Sequence, residues 1–201
     1  MGEGPRYDPG EYLMRLFPCP DPRTEAIVAF SLFDSLHTWV SLRALYGIPL
    51  SSSERTGIKH AVLPFQNKSG GFGSPLASMK ETWQAAEVLL VTGYPLGRQN
   101  IVRFVHSCED PEFGYLGRPD TRPSYLEDVY AGLRLSALLS HPPRYRDAVI
   151  DFLRRCRHCS GGYARSVFGG IATLEFTAIA VEAFAMLSGV ELFHRTPMRA
   201  I

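Results

Sequence analysis

The chain has 201 residues, with 21 Lys and Arg against 20 Asp and Glu, a net charge of +1 and a hydrophobic content of 45%. That length and apolar fraction support a sizeable core and exclude a disordered chain. The balanced, scattered charge supplies no basic field for general nucleic-acid binding. Four cysteines, Cys19, Cys108, Cys156 and Cys159, are too few and too widely spread to staple a domain of this size. With no charged-then-apolar leader in MGEGPRYDPGEYLMRLF, the expectation is a reduced, cytoplasmic protein. No membrane span is expected either. The most apolar stretch, 171–190, contains Glu175 and Glu182, which share one helical face as the polar stripe of a buried helix.

In chain order, residues 1–24 carry five prolines and little periodicity, as an extended N-terminal arm would. A first apolar helix follows in SLHTWVSLRALYG and stops at Gly47-Ile48-Pro49. Ile58, Ala61, Val62 and Phe65 then fall at i, i+3, i+4 and i+7, one face of an amphipathic helix. A glycine-aromatic turn, KSGGFGS, leads into a second apolar helix, KETWQAAEVLLVTG, which ends at Gly93-Tyr94-Pro95. The order then recurs twice. Ile101, Phe104, Val105 and Cys108 precede the turn PEFGYLG and the helix LEDVYAGLRLSALL, closed by Pro142-Pro143. Val149, Phe152, Leu153 and Cys156 precede CSGGYAR and the helix LEFTAIAVEAFAML, closed by Gly189, with a tail over 191–201.

The turns at Gly71, Gly114 and Gly162 lie 43 and 48 residues apart, and Thr38, Thr82, Val129 and Thr177 align the apolar helices at steps of 44, 47 and 48. A period of this length is a helical hairpin, so the chain reads as a half unit followed by three complete ones. Ser78 with Glu81, and Ser124 with Glu127, fit the Ser-x-x-Glu capping box at two helix starts. The expectation is an all-α hairpin-repeat domain over 25–190, its amphipathic helices outside and its nearly all-apolar helices inside.

An apolar helix ending in Gln or Cys, a Gly-Gly-aromatic turn, then a helix opening near Leu-Glu-Asp-x-Tyr resembles the α/α-toroid repeats of protein prenyltransferase β subunits and of squalene and terpene cyclases. Gln66-x-x-x-Gly70-x-Phe72 is similar to their QW repeat with Phe in place of Trp, and GYLGRPDTRPSYLEDVY resembles the prenyltransferase form. The resemblance covers roughly Ser35 to Leu187 and implies an α/α toroid-like arc of about three and a half antiparallel hairpins. Its inner helices would wall an apolar groove that takes an isoprenoid diphosphate. An arc of that count is shorter than a closed ring, so the expectation includes a homo-oligomer or a partner subunit that closes it.

Under that resemblance Arg118 and Arg122, on a proline-bracketed turn before an inner helix, would grip the diphosphate. The plainer reading is a pair of solvated loop arginines beside Asp120. The zinc-binding Asp of the prenyltransferases falls on Glu127 or Asp128. Adjacent helical residues point about 100° apart. Glu127 is explained by capping, which leaves Asp128 as the acid or the carboxylate for a magnesium diphosphate. The family's Cys position holds Val129, its His position holds Phe176, and His37-Thr38-Trp39 echoes the His element upstream, so zinc-thiolate chemistry is not expected. The Asp-x-Asp-Asp acid of the cyclases is absent too. His37, Trp39, Trp83 and Tyr130 stand near inner-helix starts, as an aromatic wall for a cationic intermediate or as repeat-junction packing. Cys156-Arg-His-Cys159 is half of a zinc pattern, but the repeat puts Cys156 in the core place of Cys108. Two functions follow: binding an isoprenoid diphosphate with transfer or cyclisation of its chain, or a non-catalytic hairpin-repeat module for binding or assembly.

Overall fold

A computed structural model describes residues 32–189; the expected arm over 1–24, with Cys19, and the tail over 191–201 lie outside them. Among the described residues the helices in chain order are α1 (Leu32–Leu45), α2 (Ser52–Val62), α3 (Met79–Val91), α4 (Arg98–Ser107), α5 (Leu126–Leu138), α6 (Arg146–Arg155) and α7 (Leu174–Ser188). A short 3-10 turn, Leu63–Phe65, follows α2, and a two-residue antiparallel pair, β1 (Glu109–Asp110) and β2 (Gly114–Tyr115), sits between α4 and α5. The architecture is all-α, as the repeat predicts. None of these helices is long and apolar enough to cross a membrane.

The described residues divide into two units, one from 32–64 and 84–96, the other from 65–83 and 97–189, so that α3 begins in the second and ends in the first. In the first unit α1 buries Phe33, Leu36, Trp39 and Val40, and α2 buries Ile58 and Val62. Helix α2 opens on a capping box that the repeat pattern did not single out. The Ser51 hydroxyl accepts the Glu54 N–H at 3.3 Å, and Glu54 Oε2 accepts the Ser51 N–H at 2.7 Å. Arg43, only 7% exposed, ties α1 to this start by donating to Glu54 Oε1 and to the Pro49 carbonyl, each at 2.6 Å. Burial works to raise the Glu54 carboxyl, but the Ser51 bonds and Arg43 outweigh it and hold it below its ordinary range.

In the second unit the two outer faces read from the sequence are buried throughout. Ile101, Phe104, Val105, Cys108, Val149, Phe152, Leu153 and Cys156 are all 1% exposed or less. Burial pushes the Cys108 and Cys156 thiols up to about 12, which makes them inert core groups. Each glycine-aromatic turn is pinned by antiparallel pairing, Gln66 with Phe72, Glu109 with Tyr115, and Arg157 with Tyr163. The aligned threonines hold these turns on the inner helices: Thr82 Oγ1 accepts the Phe72 N–H at 2.9 Å, and Thr177 Oγ1 accepts the Tyr163 N–H at 3.1 Å. In the middle unit, where Val129 replaces Thr, Tyr115 is held otherwise. Its carbonyl accepts the Ser124 hydroxyl and its phenol pairs with Ser136 Oγ, both at 2.6 Å. A Cβ on Gly132 would lie 2.4 Å from the Tyr115 ring, so the glycine in mid-helix makes room for that ring.

Three helix ends close on left-handed glycines, Gly47, Gly93 and Gly189, as their sequence predicts. The fourth closes on Ser140, at φ 50, whose turn lets the His141 N–H reach the Ser136 carbonyl at 2.8 Å before Pro142-Pro143 begins. Ser78 and Glu81 form half of the expected box: the Glu81 N–H donates to Ser78 Oγ at 3.2 Å, but Glu81 Oε2 accepts the Ser78 hydroxyl at 2.7 Å while the Ser78 N–H donates to the Phe72 carbonyl at 3.1 Å. The Ser124–Glu127 box does not form. Because Tyr115 takes the Ser124 hydroxyl, α5 starts later, at Leu126, and Asp128 becomes the capping acid, its Oδ2 accepting the Tyr125 N–H at 3.1 Å.

Candidate functional site

The inner helices carry one repeated pair. The residue after each aligned Thr or Val is Trp39, Trp83, Tyr130 and Ala178, and four further on stands a charge, Arg43, Glu87, Arg134 and Glu182. Four residues is one helical turn, so ring and charge share a face. In the second unit these ranks meet. Trp83 and Tyr130 stack edge-on with ring centroids 5.4 Å apart, and the Arg134 guanidinium lies over both, 5.7 Å and 5.9 Å from their centres. The Tyr130 hydroxyl donates to Glu182 Oε2 at 2.5 Å, and Arg134 Nη1 donates to the same phenol oxygen at 3.4 Å. Contributed by three helices, α3, α5 and α7, this is a cation, two π faces and a carboxylate in one cluster.

In the first unit His37 Nε2 lies 2.8 Å from Glu87 Oε2, and the Gln84 amide donates to Asp34 Oδ1 at 2.7 Å. Trp39 is 3% exposed, with the Arg43 guanidinium 4.7 Å from its ring centre. Arg43 is thus committed to α2.

The two loop arginines separate. Arg118 is exposed and forms no ion pair among the described residues. Arg122 pairs with Asp110 at 2.6 Å and with Glu112 at 3.0 Å, not with Asp120. Asp110 is buried, which raises its carboxyl, yet N–H bonds from Phe113 and Glu112 together with Arg122 hold it below its ordinary value. Glu127 and Asp128 diverge as adjacent helical positions must. Glu127 Oε1 accepts from Arg165 at 2.6 Å. Asp128 lies over Gly117, where a Cβ would come 2.6 Å from its Oδ1. Burial raises its pKa to about 6, against the Tyr125 N–H that stabilises the ionised form, with neighbouring Glu127 adding to the rise.

The chain matches the family model of the prenyltransferase alpha-alpha toroid domain over residues 23–199. It belongs to that family. A search of the curated proteins found no match.

Asp128 and Glu127 are engaged differently from their sequence reading. Asp128, the expected acid, is the helix cap, and Glu127, the expected cap, is an ion-pair partner of Arg165. The donors for a catalytic zinc do not fit. Val129 is fully buried in the Cys position, Cys156 is buried while Cys159 is exposed, and among the described residues no three His, Cys, Asp or Glu side chains converge. A magnesium ion arriving with a diphosphate fits poorly as well, since one neighbouring carboxylate caps a helix and the other faces Arg165. Sequence reasoning passed over Arg134 and Glu87 and took Glu182 only as part of a polar stripe. Their signal was there, a charge at the same place in each apolar helix, but its alternating sign hid the register.

Proposed function

We propose that this toroid-family chain binds an isoprenoid diphosphate on its inner helices. The observation that carries the reading is the Trp83–Tyr130–Arg134–Glu182 cluster. The hydrocarbon chain lies against Trp83 and Tyr130, for which Trp39 is the repeat equivalent in the first unit, with His37 two residues before it. Arg134 meets the diphosphate in partly dry surroundings, where a guanidinium pairs bidentately with phosphate oxygens. Exposed Arg118 is the second contact, and Arg122 joins only by exchanging its Asp110 and Glu112 partners. If the diphosphate ionises, these arginines stabilise the charge on the leaving group. Asp128, titrating near the working pH, is the group that holds and releases a proton, with Glu127 beside it. The free thiols of Cys108, Cys156 and Cys159 fit a cytoplasmic setting.

A second reading, a binding or assembly module without catalysis, is favoured by one specific observation. Glu81 does at α3 what Asp128 does at α5: each acid packs over a turn glycine, Gly73 or Gly117, at the start of its helix. A carboxylate repeated in that role serves the scaffold.

Thermal unfolding with farnesyl and geranylgeranyl diphosphate tests the binding. At a ligand concentration 100-fold above the dissociation constant the stabilisation is about 2.7 kcal/mol. It shrinks in Arg134→Gln and again in the Arg118→Ala, Arg122→Ala double variant. No stabilisation of the parent chain at high ligand sinks the proposal. Release of diphosphate above background separates the enzyme from the module.

A further inference from the structure

Three of the inner helices, α3, α5 and α7, start alike, yet only two of those three starts are covered. In α3 and α5 the first residue, the fifth and the eighth are buried: Met79, Trp83 and Ala86, then Leu126, Tyr130 and Leu133. Their α7 equivalents are bare, with Leu174 87% and Val181 44% exposed and Ala178 exposed between them. Phe168 and Ile171, at 72% and 83%, extend the patch into the preceding loop.

The backbone repeats the pattern. The Met79 N–H donates to the Gly117 carbonyl and the Leu126 N–H to the Arg165 carbonyl, both at 2.8 Å, so α3 and α5 each cap their first N–H on the glycine-aromatic turn of the following repeat. The Leu174 N–H meets no acceptor among the described residues. The bare face of α7 is therefore the donor half of a repeat joint, and what fits it is a turn carbonyl with apolar side chains behind it. The second unit carries such a half unused. Counted from the glycine-aromatic pair, the position of Gly117 and Arg165 is Ser74 in the first turn. No backbone N–H among the described residues bonds its carbonyl, and Ser74, Pro75 and Leu76 are exposed, Leu76 by 60%.

We propose that the α7 face of one copy, centred on Leu174 and Val181, docks on the Ser74–Leu76 turn of a second copy, a head-to-tail joint that reproduces the joints within the chain. The surface goes beyond the ligand reading and stands without it. Because the two halves differ, the contact is heterologous, and further copies add until a ring closes.

Mass measurement by light scattering across a concentration series tests the joint. The parent chain associates with rising concentration. Leu174→Asp and Leu76→Asp each weaken association at least tenfold while their circular dichroism and melting temperature stay at the parent values, because both side chains are exposed. Mixing the two variants is decisive: one supplies an intact α7 face and the other an intact turn, so the mixture forms a one-to-one dimer that neither forms alone. A parent chain that stays monomeric at high concentration, a Leu174→Asp chain that associates like the parent, or a mixture that stays monomeric overturns the proposal.

Discussion

Helices α5 and α7 occupy the same place in successive repeats, and α7 has the more apolar sequence. Yet α5 buries Leu126, Val129, Tyr130, Leu133 and Leu135, whereas α7 buries only Ala180, Ala183 and Ala185. The apolar content of a helix states what it can bury, and the presence of the next repeat decides what it does bury. In a repeat protein the unit of stability is the joint between neighbours, and α5 has a joint on the side where α7 has none among the described residues.

Paired substitutions put that contrast to a number. Leu126→Ala removes a fully buried side chain and costs about 2–5 kcal/mol, whereas Leu174→Ala at the equivalent exposed place stays within about 0.5 kcal/mol. Denaturant unfolding of the two variants under monomeric conditions checks this, and equal losses would break the comparison. Gly132→Ala forces a methyl into the Tyr115 ring, for a loss of about 3 kcal/mol. Its readout is the same unfolding midpoint, and a neutral outcome means that the ring has room to move.

Asp128 has no titrating equivalent in α7, where Phe176 stands, and this gives the comparison a pH dependence. Its pKa is raised from 3.8 to about 6, so the folded chain keeps a proton that the unfolded chain has lost over that interval. Its contribution is full below pH 4 and falls away as the pH rises to 6. Asp128→Asn, which keeps an acceptor for the Tyr125 N–H, is therefore more stable than the parent at pH 7.5 by on the order of 2 kcal/mol, with the two converging below pH 4. A variant that loses stability at pH 7.5 would contradict the burial argument. A smaller loss than at the core sites is expected at the turn latches. Thr82→Val, in a fully buried site, costs about 1–2 kcal/mol. Thr177→Val costs less, since Thr177 is half-buried.

The repeat was legible because both periodicities survive in the residues: four apolar positions per outer helix, all buried in the two copies of the second unit and two of four, Ile58 and Val62, buried in the first, and a glycine-aromatic turn before each of the last three inner helices. The start of α5 was not. Ser124-x-x-Glu127 has the right letters, but a tertiary partner, the Tyr115 carbonyl, takes the serine and moves the cap by one residue. The Arg122 partners were likewise invisible, because Asp110 and Glu112 reach it across the β1–β2 turn and not along the chain. The site cluster lay between these cases: Trp83 and Tyr130 were read from the sequence, while Arg134 and Glu182 needed contacts between helices to show that one face carries them all.

Residue-resolved hydrogen exchange at a dilution where the chain is monomeric tests the central claim about the joints most directly. The Met79 and Leu126 amides, each bonded to the next turn, exchange slowly, and the Leu174 amide exchanges at close to the rate of an open chain. A Leu174 amide as protected as that of Leu126 in the monomer would contradict the account.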